Sequence, residues 1–79
     1  MTPVTRQSAA LIYAVYDHPT DFPNEFVCRR WGSDGQTLDP GAPFARGRTL
    51  AEIHRALPLG LIKMCPWAND DPVICELWI

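Results

Sequence analysis

Three runs of apolar and β-branched residues alternate with polar, proline-containing segments along the chain, and they predict three strands. Residues 9–16 (AALIYAVY) are apolar throughout, which is typical of a short strand buried on both faces. Residues 25–31 (EFVCRRW) alternate, so that Phe26 and Cys28 share one face, and Val27, Arg29 and Trp31 point away from them. Residues 72–79 (PVICELWI) predict the final strand.

A helix is predicted between the second and third strands, over residues 49–57 (TLAEIHRAL). Thr49 and Glu52 form a capping box, in which the threonine oxygen accepts from an amide of the first turn and the glutamate reaches back to the cap residue. Leu50 and Ile53 begin an apolar stripe at helical spacing. The proline and glycine that follow are expected to end the helix.

The order strand, strand, helix, strand predicts an α+β fold of ββαβ type, with three mainly antiparallel strands and one helix on one face of the sheet. The helix acts as a crossover and places the third strand parallel to the second. The first strand is the most apolar and is expected in the middle, which gives the sheet order 2-1-3. Residues 1–79 are expected to form a single domain, with residues 1–8 flexible.

Length and composition restrict the classes of function. A chain of 79 residues forms a small core, because a domain of this size buries only about 60% of its unfolded surface, and it leaves little room for an elaborate active site. A net charge of −2 argues against direct binding to nucleic acid. The N-terminal residues lack a signal-peptide pattern, and no run approaches the ~18 apolar residues that cross a bilayer. We therefore expect a cytoplasmic protein with no membrane partner.

The three cysteines are an odd set without C-x-x-C spacing, which predicts neither a disulfide framework nor a zinc site. Cys28 and Cys75 fall in predicted strands and are expected to behave as small buried apolar residues. Cys65 lies beside a proline in a predicted loop, so it is the candidate for an exposed thiol or an intermolecular disulfide.

Acidic residues cluster before and after the predicted strands. The predicted topology brings the connection after the first strand and the loop before the last strand to the same end of the sheet. Five of the nine acidic residues would converge there: Asp17, Asp21, Glu25, Asp70 and Asp71. The arginines are expected at the far end of the second strand and in the loop beyond it, which would make the molecule charge-polarised: Arg29, Arg30, Arg46 and Arg48.

The residue spacing gives little support to two chemical interpretations, a metal site and a catalytic site. Asp17, His18 and Asp21 offer metal ligands, but they follow no known metal-binding loop pattern. A pairing of Cys65 with His54 or with the first histidine belongs to no recognised catalytic motif. We therefore predict no enzyme activity, no catalytic residues, no metal and no cofactor. A structural role also stays open, because aspartates in turns often bind their own backbone.

Binding to another protein is the interpretation that the residue types favour. Carboxylates interleaved with aromatic side chains resemble the anchors and charged rims of protein interfaces. We predict a partner-binding surface on the acidic edge together with one aromatic residue: Asp17, Asp21, Phe22, Glu25, Asp70 and Asp71. Tyr16 and Trp67 either join this surface or pack inward.

The segments YAVYDHPTDFPNEFVCRRW and DDPVICELWI resemble small proteins found in proteobacteria and their phages, over about residues 12–79. A proteobacterial chain of this size also looks like an anti-CRISPR protein acting on a type I-C system. That resemblance implies a non-enzymatic inhibitor that binds the RNA-guided effector complex and blocks loading of target DNA. Anti-CRISPR proteins share no common motif, so the resemblance assigns no role to individual residues.

The leading hypothesis is therefore a protein-binding module that inhibits a type I effector complex through its acidic surface, as a monomer or weak homodimer in the cytoplasm of a bacterial host. The alternative is a structural or regulatory protein that self-associates through an exposed edge strand, such as the last strand. A small enzyme or a metal-binding protein is the third interpretation.

Overall fold

The computed structural model describes residues 11–66 and 72–79, and this part of the chain forms one α-helix and a sheet of five antiparallel strands. The elements in chain order are β1 (Ile12–Asp17), β2 (Phe26–Trp31), β3 (Ala45–Gly47), α1 (Leu50–Ala56), β4 (Lys63–Met64) and β5 (Ile74–Trp78). The sheet order is β3-β2-β1-β5-β4. The predicted α+β class and the single helix are confirmed.

The central position of β1 is also confirmed. β1 pairs antiparallel with β2 on one side and with β5 on the other, so the three long strands have the predicted order. Ala14 and Val15 point to opposite faces of the sheet and are both buried, at 3% and 0% exposure. A strand with apolar side chains on both faces is most stable at the centre of a sheet, where both faces are buried. This explains the position of β1.

The prediction of three strands was wrong, because two short strands extend the sheet. β3 comes from the long connection after β2 and pairs with β2, with Val27 opposite Arg46. β4 pairs with β5, with Met64 opposite Leu77. Both short strands provide hydrogen-bond partners for backbone groups of the longer strands beside them. Each contains three residues or fewer, which is too short for a period-two pattern to show in the sequence.

The core lies between α1 and one face of the sheet. Its buried side chains include Tyr13, Val15, Cys28 and Ile53. Phe44, from the long connection, packs edge-on against Tyr13 with ring centroids 5.4 Å apart and anchors that connection to the core. Burial of these side chains is the main source of stability in a domain of this size.

The opposite face of the sheet receives no helix in the described part of the chain. Because side chains alternate along β2, Cys28 points toward α1, and its neighbour Arg29 points to the opposite face. A bulge between Val15 and Tyr16 interrupts this alternation where β1 pairs with β5. Two loops, residues 18–25 and 32–44, flank this face and form the surface described next.

Candidate functional site

The loop of residues 18–25 between β1 and β2 is held by its own backbone. The amide of His18 donates to Glu25 at 3.0 Å, the amide of Phe22 donates to Pro19 at 2.9 Å, and the amide of Glu25 donates to Phe22 at 3.2 Å. His18 adopts a positive φ of 52°, which turns the chain sharply, and the following proline is buried. These three hydrogen bonds close the connection between the two strands.

Asp21 is tied to the sheet by Arg29. The Nη2 group of Arg29 donates to Asp21 Oδ2 at 3.0 Å, and Nη1 donates to the carbonyl oxygens of Asp39 and Gly41, the latter at 3.0 Å. The Arg29 side chain is only 16% exposed. One guanidinium group therefore joins residues 18–25 to the long connection, because it donates charge-assisted hydrogen bonds to both.

Glu25 and Phe22 are both in contact with Arg46, a residue of β3. The Nε group of Arg46 lies 3.2 Å from Glu25 Oε1. Its guanidinium carbon lies 4.9 Å from the centroid of the Phe22 ring, which is cation–π geometry. Phe22 is consequently half-buried, with one face of its ring covered by the arginine.

The predicted separation of acidic and basic residues was wrong for the described residues. β3 runs antiparallel to β2, which returns Arg46 to the acidic end of the sheet, and Arg29 reaches Asp21 across the sheet surface. Three strands alone would have left these arginines at the far end. The surface around residues 17–25 is therefore a mixture of charges, since Asp21 and Glu25 each have a cationic neighbour.

Two predicted site residues, Asp70 and Asp71, lie outside the described residues. The amide of Asp17 donates to the carbonyl of Val73 at 2.7 Å, so the chain entering β5 meets the end of β1. Asp17 also contacts the ring of His18 through Nδ1. The Asp17 and Asp21 side chains are 53% and 58% exposed, and they are the most accessible carboxylates of the predicted surface in the described chain.

Two depressions flank the loop. The larger, about 650 Å³, lies between residues 19–21 and 37–40, over Tyr16, Arg29 and Trp31. The indole N–H of Trp31 donates to the hydroxyl oxygen of Tyr16 at 3.1 Å. Tyr16 thus packs against the sheet surface, one of the two arrangements expected for it.

The smaller depression, about 340 Å³, lies on the other side of the loop and faces β3. Phe22, Glu25, Arg46 and Arg48 contribute to its lining. Asp21 borders both depressions. The loop therefore separates two concave surfaces, and its side chains contribute to each.

Sequence reasoning missed two buried carboxylates. Asp39 receives hydrogen bonds from the side chain and the backbone amide of Arg30, and that guanidinium lowers the pKa of Asp39. Glu76 accepts from the ring of His54 on α1 and from the indole of Trp78. Neither pair follows a sequence motif, because the partners lie on different elements or in an irregular loop. Both pairs stabilise the fold, and neither borders the smaller depression.

Cys28 is buried as predicted, whereas Cys75 is only partly buried. Burial raises the pKa of Cys28 to about 12, which keeps its thiol protonated and inert, and burial also raises the pKa of half-buried Cys75. Cys65 is exposed, as expected. Among the described residues, no three histidine, cysteine, aspartate or glutamate side chains are arranged to hold a metal ion. No helix in the described ranges is long and apolar enough to cross a membrane.

Comparison of the chain with models of known families, with curated proteins and with solved structures found no match. The functional proposal is therefore based on the surface around residues 17–25.

Proposed function

We propose that this protein is a non-enzymatic binding module and that it contacts a partner protein through the loop of residues 17–25. The observation that carries this proposal is the rigid attachment of the loop. Three backbone hydrogen bonds close it, and two arginines, Arg29 and Arg46, fix its carboxylates from opposite sides. A surface that is ordered before binding loses little conformational entropy on complex formation.

Asp17 and Asp21 are the proposed contacts to basic side chains of the partner, because they are more than half exposed. Phe22 supplies the apolar contact beside them, with one face of its ring already covered by Arg46. Charge complementarity of this kind selects the partner and accelerates association. Nearby arginines restrict the acidic region to a small area, which favours a local contact with protein over imitation of a DNA backbone.

The proposed partner is a type I CRISPR effector complex in the cytoplasm of a bacterial host, where binding would block recruitment of target DNA. Support for this partner comes from the resemblance of two segments, around residues 13–31 and 70–79, to small proteobacterial and phage proteins. An effector complex carries basic surfaces that hold nucleic acid, and exposed carboxylates are suited to such surfaces.

A pull-down with purified type I-C effector complex tests this proposal. We expect the wild-type protein to be retained and Asp17→Lys to bind about tenfold more weakly or worse, because the change replaces an attraction by a repulsion. Asp34→Lys, an equal charge change at an exposed turn outside the loop, serves as the matched control and should bind normally. Equal retention of both variants would reject the loop as the contact, and no retention of the wild type would reject this partner.

Self-association is a second proposed function, supported by exposed apolar side chains near β4. Ile62, Met64 and Ile79 are 65%, 39% and 49% exposed. The expected edge strand was misplaced: β5 lies between β1 and β4, so its backbone is paired on both sides, and β4 forms the edge. Light scattering at two protein concentrations tests this function, since a mass that rises with concentration supports it and a constant monomer mass rejects it.

A further inference from the structure

Tyr16 and Trp31 form an aromatic floor in the larger depression, and both side chains lie along the sheet. Tyr16 is opposite Val27 in the ladder and shares its face, and Trp31 is four residues beyond Val27 on that same face. The two backbone positions are therefore about 13 Å apart along the strands. The indole N–H of Trp31 nevertheless reaches the hydroxyl oxygen of Tyr16 at 3.1 Å, so both side chains must extend toward each other. Ala14, between them on this face, is only 3% exposed, as expected beneath such side chains.

Apolar residues from three parts of the chain border this aromatic floor. Pro19, in the loop of residues 18–25, is buried, and Pro40, in the long connection, is exposed. Val73 lies directly before β5. The resulting groove of about 650 Å³ is within the size range of ligand-binding sites.

The charged side chains at the groove are paired within the protein. Arg29 donates to one carboxylate oxygen of Asp21 at 3.0 Å, and Arg30 donates to both oxygens of Asp39, at 3.1 and 2.9 Å. The hydroxyl of Thr37 donates to the carbonyl of Arg30 and accepts from the amide of Asp39. The groove therefore carries little net charge, and it is suited to a neutral ligand.

The backbone beneath the groove has no hydrogen bonds to offer a peptide, because β1 and β2 are each paired with a strand on both sides. An ordinary peptide lying on the aromatic floor would lose water from its N–H groups without replacement, which is unfavourable. Proline has no N–H group, and proline-rich segments form a polyproline II helix before they bind. Such segments dock in grooves lined by aromatic side chains. We propose that the larger depression binds a neutral, proline-rich segment of a partner protein.

Two other occupants fit the groove less well. A saccharide also stacks on flat rings, but its hydroxyl groups need several polar partners, and those of Asp39 and Thr37 are already used. A second copy of the chain could offer its residues 40–43, which begin and end with proline. However, Pro40 already forms a wall of the groove in its own molecule.

This inference rests on the proposed function in assuming a protein partner, and it names a second contact beside the loop of residues 17–25. The test is an NMR titration of the ¹⁵N-labelled full chain with a neutral synthetic peptide of about ten residues, most of them proline. We expect chemical-shift changes at the groove, in residues 20–21, 29–31 and 37–39. A peptide with alanine in place of proline should bind about tenfold more weakly or worse, because it buries N–H groups without partners.

Variants of the groove test its residues separately. Trp31→Ala should weaken binding of the proline peptide about tenfold, and Trp31→Phe should retain most of it because a flat ring remains. Pro40→Ser changes an exposed wall residue, so the fold should persist while binding weakens about threefold. Pro58→Ser, the same change at an exposed proline that is not a described lining residue of the groove, is the matched control and should bind normally.

Four results would overturn the proposal. They are equal binding of the alanine peptide, wild-type binding by Pro40→Ser, shift changes confined to residues away from the groove, and tighter binding of the neutral trisaccharide maltotriose at the same residues. Asp17→Lys should bind the peptide normally, because Asp17 is not among the described residues that line the groove.

The two contacts can therefore fail separately. Failure of the peptide experiment leaves the loop contact standing, since Asp17→Lys tests that contact with the effector complex. Normal peptide binding without retention of the wild type by the effector complex would reject the proposed partner and support the groove as a binding site.

Discussion

Glu76 is the most deeply buried acidic side chain of the described chain, and its environment keeps it charged. It is 4% exposed. Burial pushes its pKa up, but hydrogen bonds from the indole of Trp78 at 3.0 Å and the ring of His54 at 2.8 Å outweigh burial, so the pKa lies below its ordinary value of 4.5. Lys63, whose Nζ is 3.6 Å from Oε2, adds to the lowering. A carboxylate with several donors tolerates burial that an unpaired one does not.

The lowered pKa of Glu76 predicts loss of stability in acid. The pKa of Glu76 is lower in the folded state than in the unfolded state. The ionised carboxylate therefore stabilises the fold above pH 4.5, and this contribution disappears as the pH falls through the folded-state pKa. Glu76→Gln should lower the free energy of unfolding by about 1–2 kcal/mol at neutral pH. Between about pH 5 and pH 3, the free energy of unfolding of this variant should also decline less steeply than that of the wild type. Urea denaturation at several pH values measures both effects.

Asp34→Asn provides the control for this measurement, since Asp34 is exposed. Some decline with pH should remain in Glu76→Gln, because the Arg30 guanidinium also lowers the pKa of Asp39. An unchanged pH dependence in Glu76→Gln would show that the buried carboxylate contributes nothing to acid sensitivity.

At the scale of the elements, the junction between β3 and α1 determines how the helix meets the sheet. Thr49 caps the helix by accepting from the amide of Glu52 at 3.3 Å. The glutamate accepts from the amide of Arg48 at 3.1 Å, one residue earlier than a capping box predicts. Gly47 is buried directly beneath this turn, and a Cβ placed there would lie 2.6 Å from the Cβ of Glu52. The absence of a side chain therefore permits the close approach of the first helical turn.

Gly47→Ala is expected to destabilise the protein by about 1–3 kcal/mol, because the new methyl group must displace the first turn of α1. Gly41→Ala is the matched control, since a Cβ at position 41 meets no atom within 4 Å. Thermal unfolding of the two variants, followed by circular dichroism, compares them directly. Equal melting temperatures would mean that the turn moves aside at no cost and would contradict the packing explanation.

At the scale of the whole molecule, one side chain connects both loops on the face opposite α1. Arg29 bonds to Asp21 in the first loop and to the backbone of Asp39 and Gly41 in the second. The two walls of the larger depression consequently depend on the same guanidinium group. A charged group that is largely buried with several acceptors contributes more than an exposed ion pair does.

Arg29→Met should loosen both loops together while the sheet remains folded. We expect faster hydrogen exchange in residues 19–24 and 38–42 and a loss of about 1–3 kcal/mol in the free energy of unfolding, because several acceptors lose their charged donor. Arg55→Met, at an exposed position of α1, should change neither quantity. Faster exchange in only one of the two loops would show that they are held independently.

Local sequence patterns were sufficient for the three long strands, the helix and the central position of β1. Each of these depends on a run or a repeat within a single segment, such as the apolar stretch of β1 or the capping residue Thr49. The same reasoning located the exposed thiol of Cys65, because proline-flanked loops are seldom buried.

The ion pairs could not be predicted from local sequence patterns. The contacts of Asp21 with Arg29 and of Glu25 with Arg46 join residues of different elements, and the second exists only because β3 returns along β2. A strand of three residues leaves no periodic signal, so one undetected element placed Arg46 among the acidic residues. The acidic cluster around Asp17 is visible in the sequence, and only the folded chain shows which of its carboxylates are already paired.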